Sequence, residues 1–292
     1  MKIIITGSLG NVGRPLAQQL ITEGHDITII SSNESKKGEI ESLGAKAAIG
    51  SITDTNFLEA TFKGADAVFA MTPPNMGGEN IVENTVNVGK KYADAFRKTG
   101  VKRIVMLSSI GAESPIENGP IKGLHFIEKL YNDLENVSVT FLRAGYFYIN
   151  FFNDIPLIKN AGIIGANYPQ HINIPLVHPK DIAKAAAEEL LKTSEGNHVR
   201  YIVSDLRQPI EISRILGSAI GKPDLPWVEF TDEESLNGML QAGLPKEMAA
   251  LYSEMGRGLR TGIVQADFIQ HSSPVHGNIK LEEFAKEFAL RF

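Results

Sequence analysis

The sequence predicts an α/β protein: a doubly wound parallel sheet with helices on both faces, followed by a smaller α+β lobe. Three observations predict it. A short apolar strand, Lys2–Thr6, runs into a glycine turn, Gly7-Ser8-Leu9-Gly10-Asn11-Val12-Gly13, and then directly into a helix. Strand and helix patterns go on to alternate through the first 110 residues, the signature of a parallel sheet. Past residue 150 the alternation becomes irregular, as in an appended lobe.

The first helix, Arg14–Glu23, carries Leu16, Ala17, Leu20 and Ile21 at helical spacing and stops at Gly24. Strand, glycine turn and helix together form a phosphate cradle. The glycines let a diphosphate approach the backbone, and the helix start offers unpaired N–H groups. The spacing is G-x-x-G-x-x-G, one residue longer at the first gap than the common dinucleotide fingerprint. Gly7, Leu9, Gly10, Asn11 and Val12 are the expected diphosphate contacts.

Asp26–Ile30 is the second strand, ending in Ser31, Ser32 and Asn33, with Lys36 and Lys37 just beyond. In a dinucleotide fold this end meets the adenine ribose, where a carboxylate would select NAD. No acid stands at the strand tip, and the serines, asparagine and lysines suit a 2′-phosphate. NADP (as NADPH) is therefore expected over NAD, with Glu34 the dissenting residue. Ala45–Ile49 is the third strand, with Ser51 at its end, and Thr53 or Asp54 caps a helix over Asn56–Phe62. Ala67–Met71 is the fourth, closed by Thr72, Pro73, Pro74 and Asn75, where prolines end strand pairing. Met71, Thr72 and Pro73 would meet a nicotinamide ribose.

A long helix over Asn80–Thr99 ends at Gly100, and Val101–Ser108 is the fifth strand. A helix over Leu124–Leu134 precedes the sixth, Val137–Leu142. Right-handed crossovers place the glycine turn, Ser31–Asn33, Ser51, Met71–Pro74 and Ser108–Ala112 on one edge, where ligands of open α/β sheets bind. Beyond lie a loop or hairpin at Ile163–Ile174, a short strand at Pro175–His178, and a helix from Pro179. A last strand follows at Tyr201–Val203, and then helices at Ile210–Ile220, Asp232–Ala242, Lys246–Leu259 and Leu281–Leu290. Residues 1–150 are the expected dinucleotide-binding domain. Residues 151–292 are the expected substrate lobe, packed on it and partly returning to the sheet.

The 292 residues suffice for a large core, and the net charge of −5 argues against a nucleic-acid partner. The absence of cysteine excludes disulfides and cysteine nucleophiles and fits a reducing, cytoplasmic setting. No apolar run approaches a membrane span. His171, His198, His271 and His276 lack ligand spacing, so no catalytic metal is expected. Ser108 and Ser109 lack nucleophile-elbow glycines, which argues against a hydrolase. His178 reads as a packing or capping residue, and Arg257 and Arg260 read as solvated.

Several stretches together resemble the NmrA-like branch of atypical short-chain dehydrogenases/reductases. They are the glycine turn, Thr72–Asn75, Ser108–Ala112, Thr140–Asn150, His178–Ala183, Gly243-Leu244-Pro245 and Leu281–Phe284. The resemblance implies a Rossmann-type domain binding NADP(H), with Ser108 and Gly145 at the cofactor edge. It also implies a relation to NADPH-dependent quinone reductases and to dinucleotide-sensing regulators. The Tyr-x-x-x-Lys pair of short-chain dehydrogenases is replaced here by Ile121 and His125. His125 is then a candidate to hold the ribose or donate a proton, and Tyr146 a candidate wall of the nicotinamide and substrate site.

The expected function is reduction of a small planar acceptor, above all a quinone, by hydride transfer from NADPH. The alternative is a non-catalytic NADP(H) sensor that binds a protein partner. A sugar-nucleotide epimerase is disfavoured, since it needs the missing tyrosine. A small-molecule substrate is the expected partner; a homodimer or a regulatory protein partner stays open.

Overall fold

The computed structural model describes residues 1–73, 78–193 and 195–292. In chain order its elements begin β1 (Lys2–Ile5), α1 (Gly13–Thr22), β2 (Asp26–Ser31), α2 (Lys37–Ser42), β3 (Lys46–Ile49), α3 (Thr55–Phe62), β4 (Ala67–Ala70) and α4 (Ile81–Thr99). Next come β5 (Arg103–Ser109), α5 (Lys122–Asn132), β6 (Ser138–Ala144), β7 (Tyr146–Phe147), α6 (Ile155–Ala161), β8 (Ile164–Ala166), β9 (Ile174–Val177) and α7 (Pro179–Leu191). The chain ends with β10 (His198–Ile202), β11 (Asp205–Arg207), α8 (Pro209–Ala219), β12 (Trp227–Glu229), α9 (Asp232–Gln241), α10 (Lys246–Thr261), α11 (Ala266–Gln270) and α12 (Leu281–Ala289).

Seven strands form one sheet in the order β10-β6-β5-β4-β1-β2-β3, every pair parallel. The order reverses beside β1, and the glycine turn leaves β1 at that switch point. Both faces are buried, so the strands are apolar on both sides. In β1, Ile3 and Ile5 pack against Leu16 and Leu20 of α1 and Ile182 and Ala186 of α7, while Ile4 faces Phe62, Tyr92 and Phe96 of α3 and α4. Fully burying one such isoleucine is worth about 1.5–3 kcal/mol.

Caps fix where several helices start. Asp54 accepts from the N–H groups of Asn56 and Phe57 and opens α3. His178 accepts from Lys180 N and opens α7. α4 is capped from outside: the Glu247 carboxylate of α10 accepts from the N–H groups of Asn80 and Ile81, both at 2.7 Å.

The lobe has its own apolar core, in which Tyr148, Phe284 and Phe288 are fully buried. It lies against the 110–121 segment through α10. At Gly258 a Cβ would stand 1.8 Å from Glu117 O, so only glycine allows this approach. Lys122–Glu254 at 3.2 Å and Arg257–Glu117 at 3.1 Å flank the contact.

Several expectations need correcting. Of the loop or hairpin expected at Ile163–Ile174, residues 167–173 are loop, but no hairpin forms: β8 pairs in parallel with β12, more than sixty residues on. Tyr201–Val203 lies at β10, and two further short strands follow it. Arg257 and Arg260 are not solvated singles: Asp232 pairs with both, at 3.2 and 2.9 Å, and draws them against α9. Pro74, Asn75 and Gly77 of the predicted strand end lie outside the described residues.

Candidate functional site

The cradle has the form its glycines dictate. Gly7 sits at φ +88°, open to glycine alone at no cost, and a Cβ on Gly13 would stand 2.3 Å from Ser8 O. At Gly10 a Cβ would meet only Gly7 O, at 3.4 Å, so a side chain there points out of the protein and into the cradle. α1 has no side-chain cap at Val12; Arg14 N donates to Gly10 O and Pro15 has no N–H, which leaves the N–H groups of Val12 and Gly13 for an anion. Leu9 packs on the core below, and Asn11 is exposed. These residues fit a diphosphate.

Ser31 braces the cradle from β2. Its buried Oγ accepts from Ser8 Oγ at 3.1 Å and from Asn33 N at 3.2 Å. Ser32 and Asn33 are exposed, and Asn33 Oδ1 accepts from Ser35 N. Beside them stand two cations that the sequence reading did not bring together. Arg14 at the start of α1 and Lys36 both pair with Glu39 of α2, and together they hold its carboxyl below the usual range. Arg14 directly follows the third glycine, which was the available signal. Ser51 is exposed, with its Oγ 2.7 Å from Thr53 Oγ1.

At the end of β4 the backbone of Met71 is locked on Thr6. Met71 N donates to Thr6 Oγ1 at 2.7 Å, and Thr6 Oγ1 donates to Met71 O at 3.0 Å. The next hydroxyl, Thr72 Oγ1, is buried and has no partner among the described residues, while Pro73 is exposed. An orphaned buried hydroxyl beside the cradle suits a sugar hydroxyl.

Farther along the same edge lies a small apolar cavity of about 60 Å³. The ends of β5 and β6 form its floor, with Ser109, Ile110, Ala144 and Gly145. Tyr146, Ile121, Ile174 and Pro175 wall it, and Met255, Leu259 and Val264 cover it from α10 and the turn beyond. The covering residues escaped the sequence reading, because a late amphipathic helix shows no partner. Burial, with the neighbouring Tyr168, Asp154 and Tyr252, pushes the Tyr146 phenol well above its usual range. It therefore stays protonated and can donate.

Ile121 reaches the cavity, but His125, one turn on, does not line it. His125 is buried, and its Nδ1 lies 2.8 Å from Ala112 O, the geometry of an N–H donating to a carbonyl. Its Nε2 is buried without a partner among the described residues. Ser108 also turns away from the edge: its Oγ donates to Glu128 Oε1 at 2.5 Å, because alternate β5 side chains face α5. Glu128 in turn pairs with Arg143 at 2.7 Å, and Arg143 also meets Glu113 at 3.4 Å and Asp267 at 2.8 Å.

Comparison with known proteins gives the cradle its context. Residues 7–138 match the family described as NAD(P)H-binding. An NAD(P)H azoreductase from Xenophilus azovorans is 24% identical over 87% of this chain and 85% of its own. A triphenylmethane reductase from Citrobacter sp. superposes with a TM-score of 0.80 at 22% identity, covering 100% of both chains. An NADPH-dependent quinone oxidoreductase from Escherichia coli, solved with NADPH, gives 0.76 at 17% identity over 98% of this chain and 99% of its own. No helix among the described residues is long and apolar enough to cross a membrane. Cradle, switch point and matches together mark residues 7–138 as an NAD(P)H-binding domain, in a chain with a Rossmann-like fold that is similar to the NmrA-like, atypical short-chain dehydrogenases/reductases.

Proposed function

We propose that this protein is an NADPH-dependent oxidoreductase that reduces a small planar acceptor, a quinone being the class that fits best. One observation carries the reading: the diphosphate cradle and an apolar slot walled by Tyr146 open on the same carboxyl-terminal edge of the sheet. The similar proteins named above are called reductases of azo, quinone and triphenylmethane compounds, which supports a flat aromatic acceptor.

Gly7, Leu9, Gly10, Asn11 and Val12 would hold the diphosphate, with Ser31 bracing them from beneath. Ser32, Asn33, Arg14 and Lys36 would meet the 2′-phosphate, and Ser51 the adenine. Met71, Thr72 and Pro73 would meet the nicotinamide ribose, and Ser108 and Gly145 would contribute backbone at that end. When bound, the reduced nicotinamide supplies a hydride. The chain's own part is to exclude water with Ile110, Ile121, Met255 and Leu259 and to present the Tyr146 hydroxyl as a donor. A reduced quinone is stable as its oxyanion and takes its proton from solvent on leaving the slot, so an isoleucine where related enzymes carry a tyrosine is no obstacle. His125, fixed on Ala112 O, would position the nearby backbone and offer Nε2 to a ribose hydroxyl.

The test is a titration with NADPH, NADP, NADH and NAD, followed by NADPH oxidation at 340 nm over a panel of quinones. NADPH should bind tightest and be oxidised by at least one quinone. Binding without oxidation by any acceptor would overturn the enzyme reading. His125→Gln should be tolerated and His125→Leu should weaken NADPH binding; no change in either variant removes His125 from the site.

A further inference from the structure

Arg143 reaches the frame of the slot on three sides. It stands on β6 directly before Ala144 and Gly145 of the floor, and it is buried. Nε and Nη2 form one edge of its guanidinium and donate to the two oxygens of Glu128, at 3.1 and 2.7 Å. Nη1 faces the other way and donates to Asp267 Oδ2 at 2.8 Å, Tyr201 Oη at 3.3 Å and Glu113 Oε2 at 3.4 Å.

Each of the three carboxylates belongs to a segment that builds the slot. Glu128 lies on α5 about two turns past the wall residue Ile121, so the two share a face of the helix. Asp267 is in the first turn of α11, just past Val264 of the cover. Glu113 follows closely on Ile110 of the floor. Glu128 also accepts from Ser108, which pairs in register with Arg143, immediately before the floor pair Ser109 and Ala144. Floor, wall and cover thus meet on one planar cation.

Charge compensation does not account for the arrangement, since one guanidinium cannot neutralise three carboxylates. Buried ion groups of this kind also add little stability over an apolar replacement. Direction is what a guanidinium supplies. Its donors are fixed in one plane, so the bearing to Glu128 and the bearing to Asp267 are set relative to each other. A lysine ammonium carries the same charge on a flexible stem and sets no such angle. We propose that Arg143 is a positioning residue: it holds the floor, wall and cover of the slot in one alignment and so sets where an acceptor lies against the cofactor edge. The acceptor's part in this rests on the reductase reading; the alignment of the slot does not.

The test is methyl NMR on the full chain. Ile110, Ile121 and Val264 report on floor, wall and cover, and Ile182, in the core between α1 and α7, is the control. Arg143→Lys keeps the charge and loses the fork, so all three slot methyls should shift while Ile182 stays. Asp267→Ala should move Val264 and leave Ile121, and Glu128→Leu should do the reverse; in each, two carboxylates still meet the Arg143 charge. With the fastest quinone of the panel, Arg143→Lys should lower kcat roughly tenfold or more, as misplacement does, while NADPH affinity stays within about twofold. Slot methyls that hold still in Arg143→Lys overturn the proposal, as does an unchanged kcat in a chain whose methyls have moved. If Arg143→Lys does not fold, the two single-arm variants decide: shifts confined to the side released uphold the alignment, and shifts that reach Ile182 equally overturn it. Side-specific shifts in a protein that reduces no quinone leave the alignment standing and remove the reductase reading instead.

Discussion

Arg103 opens β5 and Arg143 nearly closes β6, and both are buried beside carboxylates, yet their surroundings differ in kind. Arg103 lies at the amino edge of the sheet, away from the cradle. It donates to Glu189 Oε2 at 3.0 Å, Glu189 O at 2.7 Å, Ser138 Oγ at 3.1 Å and Thr140 Oγ1 at 2.6 Å. Glu189 is completed by His198 and Arg200, each at 3.1 Å. Burial opposes its charge, but the bonds from Arg200, Thr140 and His198 hold it below the usual carboxylate range. Arg143 lies at the ligand edge with three carboxylates around it, and the Tyr201 hydroxyl, 3.3 Å away, itself donates to Asp267. Glu113 Oε1 is buried there without a partner among the described residues, and burial raises the Glu113 carboxyl. One edge has charges that balance and serve stability. The other carries surplus negative charge next to the site and is held together less economically.

The largest effect should come from the balanced edge. Glu189→Ala strands a buried guanidinium and should cost about 3–5 kcal/mol in urea unfolding, with NADPH affinity unchanged in the folded protein. A loss under about 1 kcal/mol would mean that water reaches Arg103 and that the two edges are alike. Gly10→Val is the converse. Its side chain enters the cradle rather than the core, so NADPH affinity should fall at least tenfold, about 1.4 kcal/mol, with little change in melting temperature. If stability and affinity fall together in either variant, the separation of edges is wrong.

Smaller effects sharpen the comparison. Glu113 holds its proton more tightly folded than unfolded, so wild-type stability should drop as pH rises from the ordinary carboxylate range through its raised value. Glu113→Gln should remove that drop and gain up to about 1 kcal/mol at pH 8. Glu189 has the opposite sign: its contribution is full above the ordinary carboxylate range and is lost as pH falls below it. Smallest is Glu39→Gln, which frees Arg14 and Lys36 and should raise NADPH affinity roughly two- to fivefold at low salt, an effect erased at high salt. Equal gains for NADH would take the 2′-phosphate away from these cations.

The sheet was legible because burial on both faces writes strands such as Ile3-Ile4-Ile5 as unbroken apolar runs. The glycine turn was legible because its spacing has a steric cause. Short elements were not: β8, β11 and β12 have three residues each, too few to show a period, and their partners lie far along the chain. Side-chain direction was equally hidden. Ser108 and Ser109 look alike in sequence, yet one serves Glu128 and the other floors the cavity.

Glu247 gives the slot a mechanical consequence. A cavity of about 60 Å³ is smaller than the roughly 300 Å³ of typical ligand pockets, so on the proposed reading α10 would have to lift to admit an aromatic acceptor. Glu247 ties the first turn of α10 to the start of α4, and lifting that turn unlatches a cap worth about 0.5–2 kcal/mol. Departure of a product would then wait on the same latch as entry, and the dwell time of a molecule in the slot would be set partly by a carboxylate that never touches it.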